Sequence, residues 1–455
     1  MNKYRYSKLT SPTNIRLLRL LPKERDPKNI RCELFEYPLQ DLSGPFPLYE
    51  AISYVWGSKE NLQSIIIDDR SFDITRNLFT ALRHVRDDKL PRTVWVDAIC
   101  INQDDTEKER QIGLMAEIYA KASCVIVWLG DAEDDGDPLE AIRLIGEKST
   151  ERSVAELSTA ELTQQKIPQL LKRRWFQRIW VLQEVAAARH ILIKCGSTEI
   201  DGHAFCVGLE VVRKALNYPI IPAAFLIYGA VFRSRQISRN HGRLSLDICS
   251  LGELVDMYHT HKAEIRHDKI YALLGMCSDH YRLLSEATLE PDYNLEWKIL
   301  MQRLIMFFIG SKASVHTWND KEIAVIKSKG SILGKVLKVG SKGGNSQSIE
   351  AVFKDTSPRM GTLRDYPVQS SVRWTLRAPA KSIQPGDLIC FLEGASEPTI
   401  VRLNKEYFTV IMVKAVFPER EKSGDYTIQR SEILQSATFY RDFLLVWDWE
   451  NFLEQ

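Results

Sequence analysis

The chain lacks long hydrophobic runs and the usual marks of export. No stretch of its 455 residues reaches the about 20 apolar residues that a membrane helix needs, and the first residues, MNKYRYSKLT, contain no apolar h-region. Its eight cysteines are scattered without a C-x-x-C pair, so we expect free thiols in a reducing compartment. These absences predict a cytoplasmic protein without a membrane span.

A surplus of charge of one sign is missing as well. The 61 Lys and Arg residues are balanced by 59 Asp and Glu residues, which leaves a formal net charge of +2. No cluster of Lys and Arg is dense enough to bind a phosphate backbone. Nucleic acid is therefore not expected as a partner.

Common catalytic and metal-binding motifs are also absent. The chain has no G-x-x-x-x-G-K-[ST], no G-x-G-x-x-G, no H-E-x-x-H and no G-x-S-x-G. His259, His261 and His267 are close in sequence but lack the spacing and the fourth ligand of a zinc site, so we expect a surface cluster and no metal. Cys100 has no nearby His to generate a thiolate, which favours a buried structural cysteine.

The stretch at 91–130 organises the chain. Residues 93–99 form a run of β-branched and apolar residues that is typical of a strand buried on both faces, and 124–129 is a second such run. Thr106 and Glu109 have the spacing of a capping box, which predicts that a helix begins between the two runs. Strand, helix and strand in this order predict an α/β fold with a parallel sheet flanked by helices.

Other runs extend this core. The sequence AISYVW at 51–56 predicts a first core strand that ends at Gly57, where the absence of a Cβ lets a ligand approach the backbone. We expect a hairpin at 64–73, and one continuous helix at 173–188, RRWFQRIWVLQEVAAA. Strands 51–56, 93–99 and 126–129 should be neighbours.

The second half of the chain has a different hydrophobic pattern. A helical pattern continues to about residue 310, and short alternating runs after it predict a small antiparallel β domain with a flexible loop at 340–348, GSKGGNSQS. A chain of this length should contain two or three domains. We divide it into peripheral strands, an α/β domain, a helical region and a β-rich domain with its terminal segment, at 1–44, 45–200, 201–315 and 316–455.

Four blocks carry a resemblance to a known family. They are LYEAISYVWGS at 48–58, TVWVDAICINQDDTEKERQIGLMAEIYAKASCVIVWLG at 93–130, RRWFQRIWVLQEVAAARHILIKCG at 173–196 and HDKIYALLGM at 267–276. In this order they resemble the successive blocks of the fungal heterokaryon incompatibility (HET) domain. The resemblance implies a role in fungal non-self recognition and programmed cell death.

The order of strands and helices also resembles Toll/interleukin-1 receptor (TIR) domains, and so implies a TIR- or flavodoxin-like core. In TIR domains that cleave NAD, the catalytic residue is a glutamate shortly after a tryptophan on the helix that follows the third strand. By that match the residue is Glu184, with Trp180 one turn before it. The hairpin after the first strand and a long insertion at about 132–172 depart from the TIR pattern.

The implied chemistry requires one carboxylate. Cleavage of the nicotinamide–ribose bond releases a neutral ring, so positive charge builds on the sugar, where Glu184 would stabilise it. NAD would be a substrate, and no cofactor is expected. Residues that would line the site by stacking, by meeting the pyrophosphate or by their place at strand ends are Ser53, Tyr54, Trp56, Gly57, Asp97, Asn102, Arg110, Arg178 and Trp180.

Two other interpretations remain open at this point. The protein could be a non-enzymatic adaptor that signals death by associating with itself or with another incompatibility protein, and Glu184 would then serve structure only. Alternatively, the β domain could sense a ligand or partner and hold the α/β domain inactive. Whether Glu184 lies in a cleft or in a salt bridge separates the enzymatic from the structural interpretation.

Overall fold

The computed structural model describes most of the chain. The described residues are 2–40, 48–103, 105–132, 137–147, 165–216, 222–230, 238–240, 243–279, 289–341, 346–353, 371–377, 381–416 and 438–451. They divide into two compact units, Met1–Leu246 and Asp247–Gln455. The four-part division drawn from the sequence stays a prediction.

The first unit is built on a sheet with the strand order β5-β4-β2-β1-β6-β3-β7-β8-β9. Its strands are β1 (Asn14–Leu20), β2 (Arg31–Pro38), β3 (Glu50–Ser53), β4 (Gln63–Ile67), β5 (Arg70–Ile74), β6 (Arg92–Trp95), β7 (Cys124–Trp128), β8 (Ile191–Cys195) and β9 (Thr198–Asp201). Because β1 pairs with β6 and β2 with β4, the N-terminal strands belong to this same sheet.

The centre of the sheet is parallel, as predicted. Strand β3 runs parallel to β6 on one side and to β7 on the other, and β8 continues in parallel beyond β7. The apolar side chains of β3 and β7 are buried on both faces, which explains their continuous apolar runs. The flanking pairs β1–β6 and β8–β9 are antiparallel, so the whole sheet is mixed, and the predicted parallel sheet is its central part.

Helices of the first unit surround the sheet. Thr75 caps the first of them, its hydroxyl accepting the Leu78 N–H, and Asp68 and Asp69 adopt positive φ angles at the turn of the predicted hairpin. The α-helices are Arg76–Val85, Asp97–Cys100, Asp105–Ile112, Met115–Lys121, Pro138–Glu147, Ile167–Leu171, Trp180–Ala187, Gly202–Leu216 and Pro222–Ala230. The side chain of Thr106, and with it the predicted capping box, lies outside the described part.

Two core strands are shorter than predicted. The strand expected at 93–99 ends at Trp95, because the Cys100 N–H donates to the Val96 carbonyl oxygen at 2.8 Å and closes a helical turn over Asp97–Cys100. The strand expected at 51–56 ends at Ser53. Both corrections leave polar side chains just beyond a strand end.

The helix expected at 173–188 is interrupted. It consists of a 3-10 helix, Arg174–Gln177, and an α-helix, Trp180–Ala187. Between them Arg178 has an extended backbone, with φ −78° and ψ 137°, and its guanidinium donates to the Tyr54 carbonyl oxygen. The break therefore turns the Arg178 side chain toward the end of β3 instead of along a helix face.

The second unit contains an eight-stranded sheet and helices that precede it. The helices are Leu251–Tyr258, Asp268–Leu274 and Trp297–Ile309, and the strands are β12 (Ser314–Thr317), β13 (Ile323–Ser341), β14 (Ser346–Phe353), β15 (Ser371–Arg377), β16 (Leu388–Leu392), β17 (Thr399–Asn404), β18 (Tyr407–Met412) and β19 (Arg441–Asp448). A short hairpin, β10 (Ser238–Asn240) with β11 (Arg243–Ser245), closes the first unit.

The predicted C-terminal β region is confirmed as a mostly antiparallel sheet. Strand β13 pairs with both β16 and β19, and β16 to β19 pair in sequence, so five strands close a ring. The β18–β19 pair is parallel, against the expectation. The bounds predicted for the loop at 340–348 were wrong, because both end residues belong to strands: Gly340 pairs with Ser348 in the β13–β14 hairpin.

The three neighbouring histidines of the second unit are buried, so the expected surface cluster was wrong. His259 Nδ1 contacts the Val255 carbonyl oxygen at 2.9 Å, and His267 Nε2 contacts the Leu295 carbonyl oxygen at 2.7 Å. Burial lowers the pKa of His259 and of His261 to about 4. The rings of His259 and His261 therefore pack within the unit as neutral side chains.

Candidate functional site

The candidate site lies where the central parallel strands end. Ser53 is the last residue of β3, and Asp97 follows the end of β6. Because β3 and β6 are parallel neighbours, their carboxyl ends meet at one edge of the sheet, which is where ligands bind in open α/β sheets. The helix Trp180–Ala187 brings Glu184 to the same edge.

A chain of hydrogen bonds holds Glu184. The Ser53 hydroxyl donates to Glu184 Oε2, and the indole Nε1–H of Trp175 donates to Ser53 Oγ at 2.8 Å. The three residues are almost inaccessible, with exposed fractions of 3% for Glu184 and 1% each for Ser53 and Trp175. The Ser53 hydroxyl at the strand end thus joins the 3-10 helix to the α-helix that carries Glu184.

Arg178 supplies the positive charge of the site. Its guanidinium donates to the Tyr54 carbonyl oxygen, and the residue is partly exposed. Burial by itself lowers the pKa of Arg178, but the nearby Glu184 and Asp97 carboxylates outweigh that effect and raise it. One guanidinium therefore faces two carboxyl groups.

Asp97 forms the other side of the site. Its Oδ2 accepts the indole N–H of Trp56 at 2.7 Å, and its Oδ1 accepts the Ala98 N–H at 2.7 Å. Burial raises the pKa of Asp97, although Arg178 and these donors oppose the rise. The buried Tyr54 hydroxyl lies next to Asp97 without a hydrogen bond of regular geometry.

Glu184 titrates near neutrality. Burial raises its pKa to about 7, and the Asp97 charge adds to the rise, while Arg178 and the Ser53 hydroxyl oppose it. Among the described residues Glu184 has no ion-pair partner at salt-bridge distance. A buried carboxyl with a shifted pKa, beside a guanidinium and at a strand end, is the arrangement expected of a functional group.

Comparison with known proteins assigns this region. Residues 49–184 match the family model described as Heterokaryon incompatibility protein (HET). The chain carries a HET domain. The match begins just before β3 and ends at Glu184 itself, so it spans Ser53, Asp97 and Arg178. The resemblance stated from the sequence blocks is thereby confirmed.

A curated relative agrees with the family model. The chain is 28% identical over 342 residues to Heterokaryon incompatibility protein 6, OR allele, of Neurospora crassa, an alignment that covers 62% of this chain and 49% of the relative. The chain thus spans about half the length of the curated relative it matches. No solved structure matches the chain.

Most of the predicted site residues come together in the HET domain. Ser53, Tyr54, Asp97, Arg178 and Glu184 are linked by the contacts described above, together with Trp56. Gly57 follows Trp56 with a φ of +78°, and Trp180 is partly exposed one turn before Glu184. Their predicted roles in binding a nucleotide stay predictions.

Two predicted residues lie outside this set of contacts. The backbone N–H of Asn102 donates to Glu107 Oε1 at 2.9 Å, and Arg110 is exposed on the helix Asp105–Ile112. The hydrogen bonds described for the Glu184, Ser53 and Asp97 side chains involve neither of them. Both follow Asp97 closely in sequence, which by itself does not bring a side chain to the strand end.

Sequence reasoning missed Trp175 and Tyr119 as site residues. A helical period places Trp175 on the face of a continuous helix, yet its indole is the hydrogen-bond donor to Ser53. The Tyr119 hydroxyl donates to the Ile52 carbonyl oxygen at 3.3 Å, in the strand that carries Ser53. The density of aromatic residues in RRWFQRIWVLQE was the signal available for Trp175.

Metal ligands and nucleophilic thiols do not add to the site. No group of three or more His, Cys, Asp and Glu side chains in the described residues is arranged to hold a metal ion. Burial raises the pKa of Cys100 to about 12, which agrees with a structural thiol and not a nucleophile. Within the part of the chain that the structure describes, no helix is long and apolar enough to span a bilayer.

Proposed function

We propose that this protein acts in fungal heterokaryon incompatibility, in which recognition of non-self leads to cell death, and that its HET domain hydrolyses the nicotinamide–ribose bond of NAD through Glu184. The family match and the name of the Neurospora crassa relative support the first part. The second part rests on one observation: a buried glutamate is held by a hydroxyl at the carboxyl edge of parallel strands.

The reaction suits a site with one poised carboxylate. Water adds to C1′ of the ribose as the bond to the ring nitrogen breaks, so NAD and water yield ADP-ribose, neutral nicotinamide and a proton. Positive charge develops on the ribose in the transition state, and in this proposal the Glu184 carboxylate stabilises it. Because nicotinamide leaves as a neutral ring, no acid has to protonate it.

In this proposal, groups around Glu184 contact the rest of the dinucleotide. In this proposal the Arg178 guanidinium binds the pyrophosphate, and the partly exposed residues Trp56 and Trp180 stack on the rings. In this proposal the strands β6, β3, β7 and β8 are the TIR-like part of the fold. The strands β1, β2, β4 and β5 are additions to it.

A second candidate function is a non-enzymatic adaptor that signals by self-association or by binding another incompatibility protein. The burial of Glu184 favours it, since only 3% of the residue is exposed and Oε2 already accepts the Ser53 hydroxyl. A substrate reaches Glu184 only if the groups over it move. In the enzymatic proposal, assembly of several HET domains supplies that movement.

Glu184→Gln tests the enzymatic proposal. Glutamine keeps the size and a hydrogen-bond acceptor for Ser53 but removes the charge that the transition state needs. We expect nicotinamide release from NAD to fall at least ~100-fold, as for the loss of one well-placed electrostatic group. The rate is measured on purified full chain at high concentration, with the assembly state followed by light scattering.

Glu117→Gln is the matched control. Glu117 is also buried, in a neighbouring helix, but it pairs with Lys121 Nζ at 3.0 Å. Its neutralisation should leave the rate within about twofold, because the charge it removes pairs with a lysine and does not face the reacting ribose. Activity that survives Glu184→Gln moves the catalytic role to another residue. An assembled wild-type protein that releases no nicotinamide supports the adaptor function.

A further inference from the structure

The hydrogen bonds around Ser53 have a defined direction. An indole nitrogen can only donate, so the Trp175 Nε1–H must point at Ser53 Oγ, and the hydroxyl proton of Ser53 must point elsewhere. The other polar contact of this hydroxyl, among the described residues, is Glu184 Oε2. Trp175 therefore turns the Ser53 proton toward the glutamate.

This direction has a consequence for the charge of Glu184. An ionised carboxylate accepts the Ser53 proton, whereas a protonated carboxyl that donated to Ser53 Oγ would leave the serine proton without a described acceptor. A donor fixed toward a carboxyl group favours its ionised form. The Ser53 hydroxyl accordingly opposes the rise that burial causes in the pKa of Glu184.

We propose that Ser53 and Trp175 form a positioning pair, in which the indole orients the serine hydroxyl, and the hydroxyl favours the ionised form of the Glu184 carboxyl and fixes its direction. Neither residue touches the reacting atoms. The pair itself follows from contacts in the HET domain, and only its effect on catalysis rests on the proposed NAD cleavage.

The arrangement is placed where the chain is rigid. Ser53 ends a strand that has parallel neighbours on both sides. Trp175 lies in the 3-10 helix Arg174–Gln177, and its ring centroid is 5.0 Å from that of Phe176. All members are buried, so bulk water does not compete for the serine proton.

Ser53→Ala tests the pair by the titration of Glu184. The carboxyl band is followed by infrared difference spectroscopy against pH and assigned by its loss in Glu184→Gln. Without the hydroxyl, the midpoint should rise by about one pH unit, the size expected for one hydrogen bond to a charged group. Trp175→Phe, which keeps the serine but frees its proton, should raise the midpoint by less.

Trp128→Phe is the control for loss of a buried indole. Trp128 is also 1% exposed, and its Nε1–H donates at 3.0 Å to Asn77 Oδ1 and not to the serine. It should lower the melting temperature without moving the Glu184 midpoint. An unmoved midpoint in folded Ser53→Ala overturns the pair, and equal midpoints in Trp175→Phe and Trp128→Phe overturn the role of Trp175.

Kinetics separate this inference from the proposed function. If the wild type cleaves NAD, Ser53→Ala should shift the acid limb of kcat upward with the midpoint, while KM changes little. A midpoint that shifts in a protein that releases no nicotinamide keeps the pair and sinks the NAD proposal. If Ser53→Ala cleaves NAD and its Glu184 midpoint is unmoved, the NAD proposal stands and the positioning pair is overturned.

Discussion

Buried acids make different contacts in the two units of this protein. In the C-terminal unit Asp256 is fully buried, and its two carboxyl oxygens accept the Val413 N–H at 3.0 and 2.8 Å and the Lys414 N–H at 3.2 Å. It ties the helix Leu251–Tyr258 to the chain after β18. Glu184 in the HET domain accepts a single side-chain donor, Ser53, among the described residues.

The comparison shows that a shifted pKa alone does not mark a functional site. Burial raises the pKa of Asp256 to about 8, and that of Glu184 only to about 7. What distinguishes them is the use of their oxygens: Asp256 satisfies backbone groups that the fold would otherwise leave unpaired, whereas Glu184 faces Arg178 and Asp97 at a strand edge. The proposed role of Glu184 therefore rests on its contacts and not on its pKa.

The largest effect that would test this comparison is expected from Asp256→Ala. The variant leaves two N–H groups without acceptors in a buried site, at about 2 kcal/mol each, so the C-terminal unit should lose about 4 kcal/mol of unfolding free energy. Hydrogen exchange read by mass spectrometry measures the loss within residues 247–455. Nicotinamide release should not change.

Asp256→Asn is the matched control, because the amide keeps one acceptor oxygen and should lose clearly less stability. If Asp256→Ala instead left the exchange of the C-terminal unit unchanged, the assignment of Asp256 to structure would fail. A loss of NAD cleavage with intact exchange would make Asp256 functional, and the contrast with Glu184 would disappear.

A smaller effect concerns the pH dependence of the HET domain. The pKa of Glu184 is about 7 in the folded protein against 4.5 for an ordinary glutamate, so between these values the folded state binds the proton and the unfolded state releases it. The stability from this group is complete below about pH 4.5 and is lost as pH rises through 7. Its total is about 3 kcal/mol.

Glu184→Gln removes this dependence. We expect the unfolding free energy of the variant to exceed that of the wild type by about 3 kcal/mol at pH 8 and to approach it at pH 4. The measurement is a urea titration in which hydrogen exchange monitors the unfolding of the first unit. The difference between the two proteins isolates Glu184 from other titrating groups. Parallel pH curves would mean that the pKa of Glu184 is the same in the folded and unfolded states, and the shift to about 7 would be wrong.

The sequence predicted the part of the fold that depends on local patterns. Continuous apolar runs placed β3, β6 and β7 correctly as parallel neighbours, since strands buried on both faces need such runs. Peripheral strands were predicted within 1–44, but not that β1 would pair with β6. Pairing between strands far apart in sequence leaves no mark in either strand alone.

The candidate site was predictable to the same degree. Glu184 and Arg178 followed from resemblance and from their place in one sequence block, and Ser53 and Asp97 from strand ends. Trp175 was missed because neither Gly nor Pro signals the break at Arg178, so a 3.6-residue period ran unbroken through 173–188. Its partner Ser53 is 122 positions away, a contact that only the fold creates.

The smallest effect tests whether the edge of the HET domain receives a ligand. Gly57 has a φ of +78°, and a Cβ there would stand 3.4 Å from Asn77 Cβ, an ordinary contact. Gly57→Ala should therefore cost about 1 kcal/mol from backbone strain alone. If the NAD backbone approaches this turn, KM should also rise severalfold, because the methyl occupies the space that the ligand needs.

Gly386→Ala in the C-terminal unit is the matched variant for this last prediction. Gly386 has a φ of +103°, and a Cβ added there would meet nothing within 4 Å among the described residues, so its replacement brings strain without a contact. It should lower stability by at least as much as Gly57→Ala and leave KM for NAD unchanged. Equal KM values in the two variants would mean that NAD does not approach Gly57. NAD would then have to reach the strand end at Ser53 along the side of the site that carries Trp180.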